Sequence, residues 1–193
     1  MNSLFRALFV AGCVAGVMVP AFAADVGRLE WGDLVVESDS SNGYQEITSS
    51  SSDDGLILSI TFSALEAKAD GGTTEAKANV AGHFEVSQPK LDTFTMARVN
   101  IEGHIIKSSG SIVRLALKVG GAEQVIEWAE GTVASEKFSR NVDIALPAGG
   151  RLPSPFPVSV EAMARKNGYA DAAYVSVSGV TIAAVPDPRV AAN

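Results

Sequence analysis

The sequence predicts an all-β chain, an antiparallel β-sandwich preceded by an N-terminal export signal. Three observations lead there. Apolar and polar residues alternate with a period of two in about eight separate runs, turn-forming residues punctuate those runs at roughly 8 to 15 residue intervals, and no stretch carries apolar residues at a persuasive helical spacing. Gly, Ser, Thr, Val and Ala are frequent while aromatic residues make up only 7%, a composition suited to strands joined by turns.

The N-terminus divides in three: Met1 to Arg6 with one positive charge, an apolar run from Ala7 to Val19, and Pro20 before the small-residue site Ala21-Phe22-Ala23. That is the layout of a secretory signal peptide over residues 1–23, and the run is too short for a membrane span, which needs about 20 apolar residues. A second reading takes Val10-Ala11-Gly12-Cys13 as a lipobox with Cys13 lipidated; continuation of the apolar run past Cys13 favours cleavage after Ala23. Cleavage leaves a single sandwich domain, residues 24–186, with a short tail, 187–193, in a secreted or periplasmic protein. It also removes Arg6 and Cys13, so the formal charge moves from −7 to −8 and no cysteine remains. Such a domain relies on its core and not on disulfides. The acidic balance, with no cluster of Lys or Arg, argues against nucleic acid or anionic lipid as a partner.

Taken in order, Val26 to Val36 carries Leu29, Trp31, Leu34 and Val36, with the alternation slipping at Gly32-Asp33 as at a bulge. Glu37 to Asp54 is polar and turn-rich, a surface loop interrupted by Tyr44 and Ile47, with room for one short edge strand. Leu56 to Ala64 and Ala76 to Val86 read as half-buried strands on either side of Asp70-Gly71-Gly72, and Ala64 to Ala69 continues the first of them in preference to forming a helix. The most regular pattern is Met96 to Val119, two alternating arms around Ser108-Ser109-Gly110. It predicts a hairpin closed by a left-handed Gly110, with Ile105 opposite Val113 and Ile101 opposite Leu117. Gly120-Gly121 ends its second arm. Gln124 to Ala129 and Phe138 to Leu146 follow, then a proline-rich stretch over residues 147–157 expected outside any ladder. Val158 to Ala164 is the penultimate strand, Asn167-Gly168 a candidate two-residue turn, and Tyr174 to Val185 the last strand, with Gly179 marking a bulge.

The run from Ala173 to Ile182, Ala-Tyr-Val-Ser-Val-Ser-Gly-Val-Thr-Ile, resembles the closing strand of secreted jelly-roll domains, many of them carbohydrate-binding modules. Over that one strand, the resemblance implies a jelly-roll arrangement and glycan as a ligand class.

Catalytic motifs are missing: the sequence has no G-x-S-x-G, no H-E-x-x-H, no P-loop and no G-x-G-x-x-G. His83 and His104 are the only histidines. With Glu85 or Glu102 they make a zinc or acid/base set only if the fold brings them together. Glu127 or Glu130 serves glycoside hydrolysis only if a cleft brings another acid beside it. Sugar recognition needs an aromatic face beside hydrogen-bonding groups. Trp31, Tyr44, Trp128 and Tyr174 are the candidates, Tyr44 first because it lies in the polar loop, whereas Trp128 shares the phase of Ile126 and is expected to be buried. Calcium is the one cofactor the composition admits, through Asp39, Asp53 and Asp54 of the acidic loop, although the spacing is not that of an EF-hand. The expected function is an exported, noncatalytic binding or surface-interaction module with glycan or another surface polymer as partner. The alternative is an assembly component of a cell-surface or extracellular polymer that self-associates through strand edges.

Overall fold

A computed structural model describes residues 29–40, 46–88, 94–146 and 151–186; the expected export signal over residues 1–23, Tyr44 and the tail 187–193 lie outside them. The described residues form ten strands: β1 (Glu30–Asp39), β2 (Ile47–Ser51), β3 (Ile57–Ala69), β4 (Glu75–Ser87), β5 (Phe94–Lys107), β6 (Ser111–Val119), β7 (Ala122–Trp128), β8 (Ala134–Ala145), β9 (Phe156–Lys166) and β10 (Ala173–Pro186). One sheet has the order β1-β4-β9-β6-β7 and the other β2-β3-β10-β5-β8, with every pairing antiparallel. The pairs β3/β4, β5/β6, β7/β8 and β9/β10 each cross from one sheet to the other, which makes β3 to β10 an eight-stranded jelly roll. β1 and β2 widen its two sheets at one side.

The core lies between the sheets because each strand turns its apolar set inward. Phe84, Phe156, Leu115 and Leu117 from one sheet meet Leu65, Phe94, Ile101 and Ile105 from the other, all of them buried. Each such side chain contributes about 1.5–3 kcal/mol of transfer free energy.

The expected hairpin at Ser108-Ser109-Gly110 is corrected by this topology. β5 pairs with β10 and β8, while β6 pairs with β9 and β7, so Ile105 and Val113 are not ladder partners. Both are fully buried and point into the core from opposite sheets. A period-two pattern states which face of a strand is apolar and is satisfied equally by a hairpin and by a chain that arches over the core. Gly110 is not left-handed either; positive φ falls at Gly55, Gly71, Gly120, Gly121 and Gly131. The two-residue hairpin of the jelly roll is Gly120-Gly121, where φ values of 59° and 91° fit a primed turn and Val119 pairs with Ala122. Asn167-Gly168 likewise begins a crossing between sheets and not a hairpin. Pro157, expected outside any ladder, pairs with His83 as the second residue of β9, and its carbonyl accepts the Gly120 amide at 2.9 Å. The slips at Gly32-Asp33 and at Gly179 are real register shifts, between Trp31 and Leu34 and between Val177 and Gly179. β2 is the short edge strand that Ile47 suggested.

Candidate functional site

Four of the crossings between the sheets, β3–β4, β5–β6, β7–β8 and β9–β10, gather at one end of the sandwich and are bonded to one another there. The Ser108 amide donates to the Ala172 carbonyl at 2.9 Å, Asn167 N to Gly110 O at 3.1 Å, and Gly131 N to Ser109 O at 2.8 Å. The Ser108 hydroxyl donates to Asp171 Oδ1 at 2.7 Å and the Ser111 hydroxyl to Ala172 O at 2.7 Å. Two buried lysines at strand ends act as pins. Lys107 Nζ donates to Ala129 O, Thr132 O and Thr132 Oγ1 at 2.8, 2.6 and 3.1 Å, which occupies all three ammonium protons. Lys166 Nζ donates to Gly71 O at 2.8 Å.

Beside this network, on the outer face of the β2-β3-β10-β5-β8 sheet, a cleft of about 480 Å³ is lined by Glu66, Lys68, Asp70, Ile106, Tyr169 and Tyr174 among others. Tyr169, in the β9–β10 crossing, is 87% exposed and is the one exposed large aromatic side chain among the described residues. Lys166 Nζ stands 5.5 Å from its ring centroid, so one π-face is braced by a cation whose own position is fixed by Gly71. Tyr174, half-buried, donates its hydroxyl to Glu66 Oε2 at 2.9 Å and meets the His104 ring edge-on at 6.1 Å. Burial, above all, pushes the Tyr174 hydroxyl's pKa up, so it stays a donor.

Two carboxylates here, Asp70 and Asp171, are held ionised. Lys68 lies 2.7 Å from Asp70, and its hydrogen bond and charge lower the Asp70 pKa. The Ser108 hydroxyl, then the Gly168 amide, lower that of Asp171. The site therefore offers fixed anionic acceptors, a protonated phenol, ammonium donors and a braced ring, a set that binds hydroxyl-rich ligands.

Of the residues expected from sequence, Tyr174 lines this cleft and Tyr44 lies outside the described residues, while the described remainder fall elsewhere. Trp31 turns inward: Nε1 donates to Gly55 O at 2.6 Å, and its ring meets Phe84 and Phe156 edge-on at centroid distances of 5.9 and 5.2 Å. Trp128 packs against the core with its ring 5.1 Å from Phe138. Neither presents a stacking face to solvent as a free platform. Asp53 and Asp54 sit in the β2–β3 turn, where Asp54 O accepts the Leu29 amide that precedes β1, while Asp39 ends β1 opposite Val80. The length of a ten-residue strand, roughly 30 Å, thus separates the first from the other two. Asp54 Oδ1 is occupied by the Ser52 hydroxyl at 2.6 Å and the Leu56 amide at 3.0 Å, in that order the main causes of its lowered pKa. Among the described residues no three His, Cys, Asp or Glu cluster as a metal site. His83 and His104 lie on different sheets, His83 bonded to Glu37 at 2.7 Å and His104 against Tyr174, so they share no site. Glu127 belongs to the β1-β4-β9-β6-β7 sheet, whereas Glu130 accepts from Asn167 in the crossing loops.

Tyr169 was not among the sequence candidates. Its signal was an aromatic placed directly after Asn167-Gly168 in an otherwise polar stretch, a residue with no strand neighbour to pack on.

No protein-family model matches the chain, and no curated protein matches its sequence. Solved structures with partial likeness include TmCBM61 in complex with β-1,4-galactotriose, at 11% identity over 74% of this chain and 90% of that one, TM-score 0.34. The CBM36-1 domain of a multidomain xylanase from the hindgut metagenome of Trinervitermes trinervoides is 11% identical over 81% and 98%, TM-score 0.32. The infectious bursal disease virus Gx strain structure is 13% identical over 86% of this chain and 33% of that one, TM-score 0.35. Likeness at this level carries no functional argument.

Proposed function

We propose that this chain is an exported, noncatalytic module that binds glycan in the cleft between Tyr169 and Tyr174. The observation that carries the reading is the Tyr169 ring, braced on one face by Lys166 and left 87% exposed beside the Glu66–Tyr174 and Lys68–Asp70 pairs. Sugar rings stack an apolar face on such a platform while their hydroxyls take the polar partners around it. Lowered pKa values at Asp70 and Asp171 suit acceptors and oppose the raised value that a glycosidase acid needs. Export rests on the three-part pattern of residues 1–23. Among the described residues no helix is long and apolar enough to cross a membrane, a statement that does not bear on β-barrels.

Affinity electrophoresis through gels containing xylan, galactan, glucomannan or β-glucan tests the reading. The wild-type protein is retarded by at least one polymer, and Tyr169→Ala weakens that binding by roughly 1–2 kcal/mol, the scale of an aromatic stacking contact, with an unchanged melting temperature. Tyr44→Ala, measured alongside, locates the platform in the polar loop if it alone abolishes binding. Free migration in every polymer overturns the proposal.

The alternative, an assembly component pairing through strand edges, is favoured by one observation: β8 is a twelve-residue edge strand bonded only to β5. Glu136, Lys137, Arg140 and Asp143 along it oppose edge-to-edge growth. Concentration-dependent polymers in sedimentation would select this reading.

A further inference from the structure

A second hollow, of about 510 Å³, adjoins the first on the same outer face and is lined by Glu102, Gly103, His104, Lys137, Phe138, Ser139, Ser176 and Ser178. Cross-strand register shows how the two are joined. Lys68, Tyr174 and Ile106 form one row across β3, β10 and β5, and Glu66, Ser176, His104 and Lys137 form the next across β3, β10, β5 and β8. Glu102 and Ser139 form a third, beside the bulged Ser178, whose hydroxyl donates to Glu102 O at 3.3 Å. Tyr174 walls the first hollow, His104 walls the second, and the two rings touch edge-on. From Tyr174 to Ser178 the strand advances roughly 13 Å, so the hollows lie end to end along β10.

We propose that the two hollows are successive subsites for one linear glycan chain of several units, running along β10 from Tyr169 past the Tyr174–His104 contact to Ser178. This rests on the glycan reading given above and adds the length and direction of the ligand. The chemistry divides between the subsites. The first supplies the aromatic platform. The second supplies hydroxyls from Ser139, Ser176 and Ser178, the Lys137 ammonium and the Glu102 carboxylate, partners that fix a sugar by hydrogen bonds without stacking. A single sugar unit occupies one hollow and leaves the other to solvent; a longer chain gains both sets of contacts.

The test is titration calorimetry with xylo-, manno- and β-1,4-galacto-oligosaccharides from monosaccharide to hexasaccharide, on the wild-type chain, Tyr169→Ala, Ser178→Tyr and Lys137→Ala. Ser178 and Lys137 are exposed, and a thermal melt establishes that each variant is folded. The expected result is an affinity that climbs about tenfold or more with chain length in the wild type. Ser178→Tyr fills the second hollow and Lys137→Ala removes a donor from it, so both flatten the climb while leaving the affinity for the shortest bound oligomer unchanged. Tyr169→Ala lowers affinity at every length. Affinity independent of length in the wild type, or a climb untouched in both second-hollow variants, overturns this inference alone. Absence of binding by all oligomers overturns it together with the glycan reading.

Discussion

Ser108 donates its hydroxyl hydrogen to Asp171 across 63 residues of sequence at 2.7 Å, and this bond ties the β5–β6 crossing to the β9–β10 crossing. Asp171 Oδ2 also accepts the Gly168 amide at 2.8 Å, so one half-buried residue's carboxylate organises the loop that carries Tyr169. Asp171→Ala should therefore loosen that end before it unfolds the sandwich. Hydrogen exchange should show faster exchange at the Gly168 and Ala172 amides, with core amides of β5 and β10 little changed. The Asp171 pKa is depressed in the folded state, chiefly by the Ser108 hydroxyl. Its contribution is present above the ordinary carboxylate pKa near 4 and is lost as pH falls through the lower folded value. The difference between wild type and variant should vanish in strong acid.

Gly110 is required for space and not for a left-handed backbone. A Cβ there would lie 2.3 Å from Asp171 Oδ2. Gly110→Ala and Gly110→Asn should each destabilise by about 1–3 kcal/mol in chemical denaturation, the range for forced overpacking. Asn is the informative variant, because a left-handed position would tolerate it.

Lys107 satisfies the Ala129 and Thr132 carbonyls from inside the crossing end. Lys107→Met keeps the aliphatic stem and removes the donor, leaving the Thr132 carbonyl without this bond and the Ala129 carbonyl with the Thr132 hydroxyl alone. The expected cost is about 1–3 kcal/mol, read from the shift in denaturation midpoint.

At the opposite end, Asp54 closes the β2–β3 turn through Ser52 and Leu56. Asp54→Ala should cost about 0.5–1 kcal/mol at neutral pH, the value of a capping carboxylate discounted for exposure. Because the folded pKa is lowered, the loss should fade as pH drops through it.

Trp31 sets a contrast between packing and binding. Trp31→Phe removes the bond to Gly55 O and should lower stability by about 0.5–1.5 kcal/mol, while retention in a glycan gel stays at the wild-type level.

Alternation told which residues face the core: Val99, Ile101, Ile105, Val113, Leu115 and Leu117 are all buried as read. It was silent on neighbours, since Ile105 satisfies the same pattern paired with Glu136 and Val175 as it would paired with Val113. Bulges at Gly32-Asp33 and Gly179 were legible because each breaks the phase of its own strand. The candidate site was mostly illegible. It is assembled from β3, β5, β9 and β10 crossings far apart in sequence, and only Tyr174 of its two aromatics stood on a strand whose pattern drew notice. Trp31 and Trp128 drew attention as large aromatics, yet each has the inward phase of its strand, which is where the structure puts them.

Backbone NMR during titration with a polysaccharide that retains the protein in a gel tests the central claim most directly. The account predicts the largest shifts at the amides of Lys68, Tyr169 and Tyr174, extending to His104 and Ser176 with a longer ligand. Shifts confined to residues 41–45, or to the outer face of the β1-β4-β9-β6-β7 sheet, would contradict it.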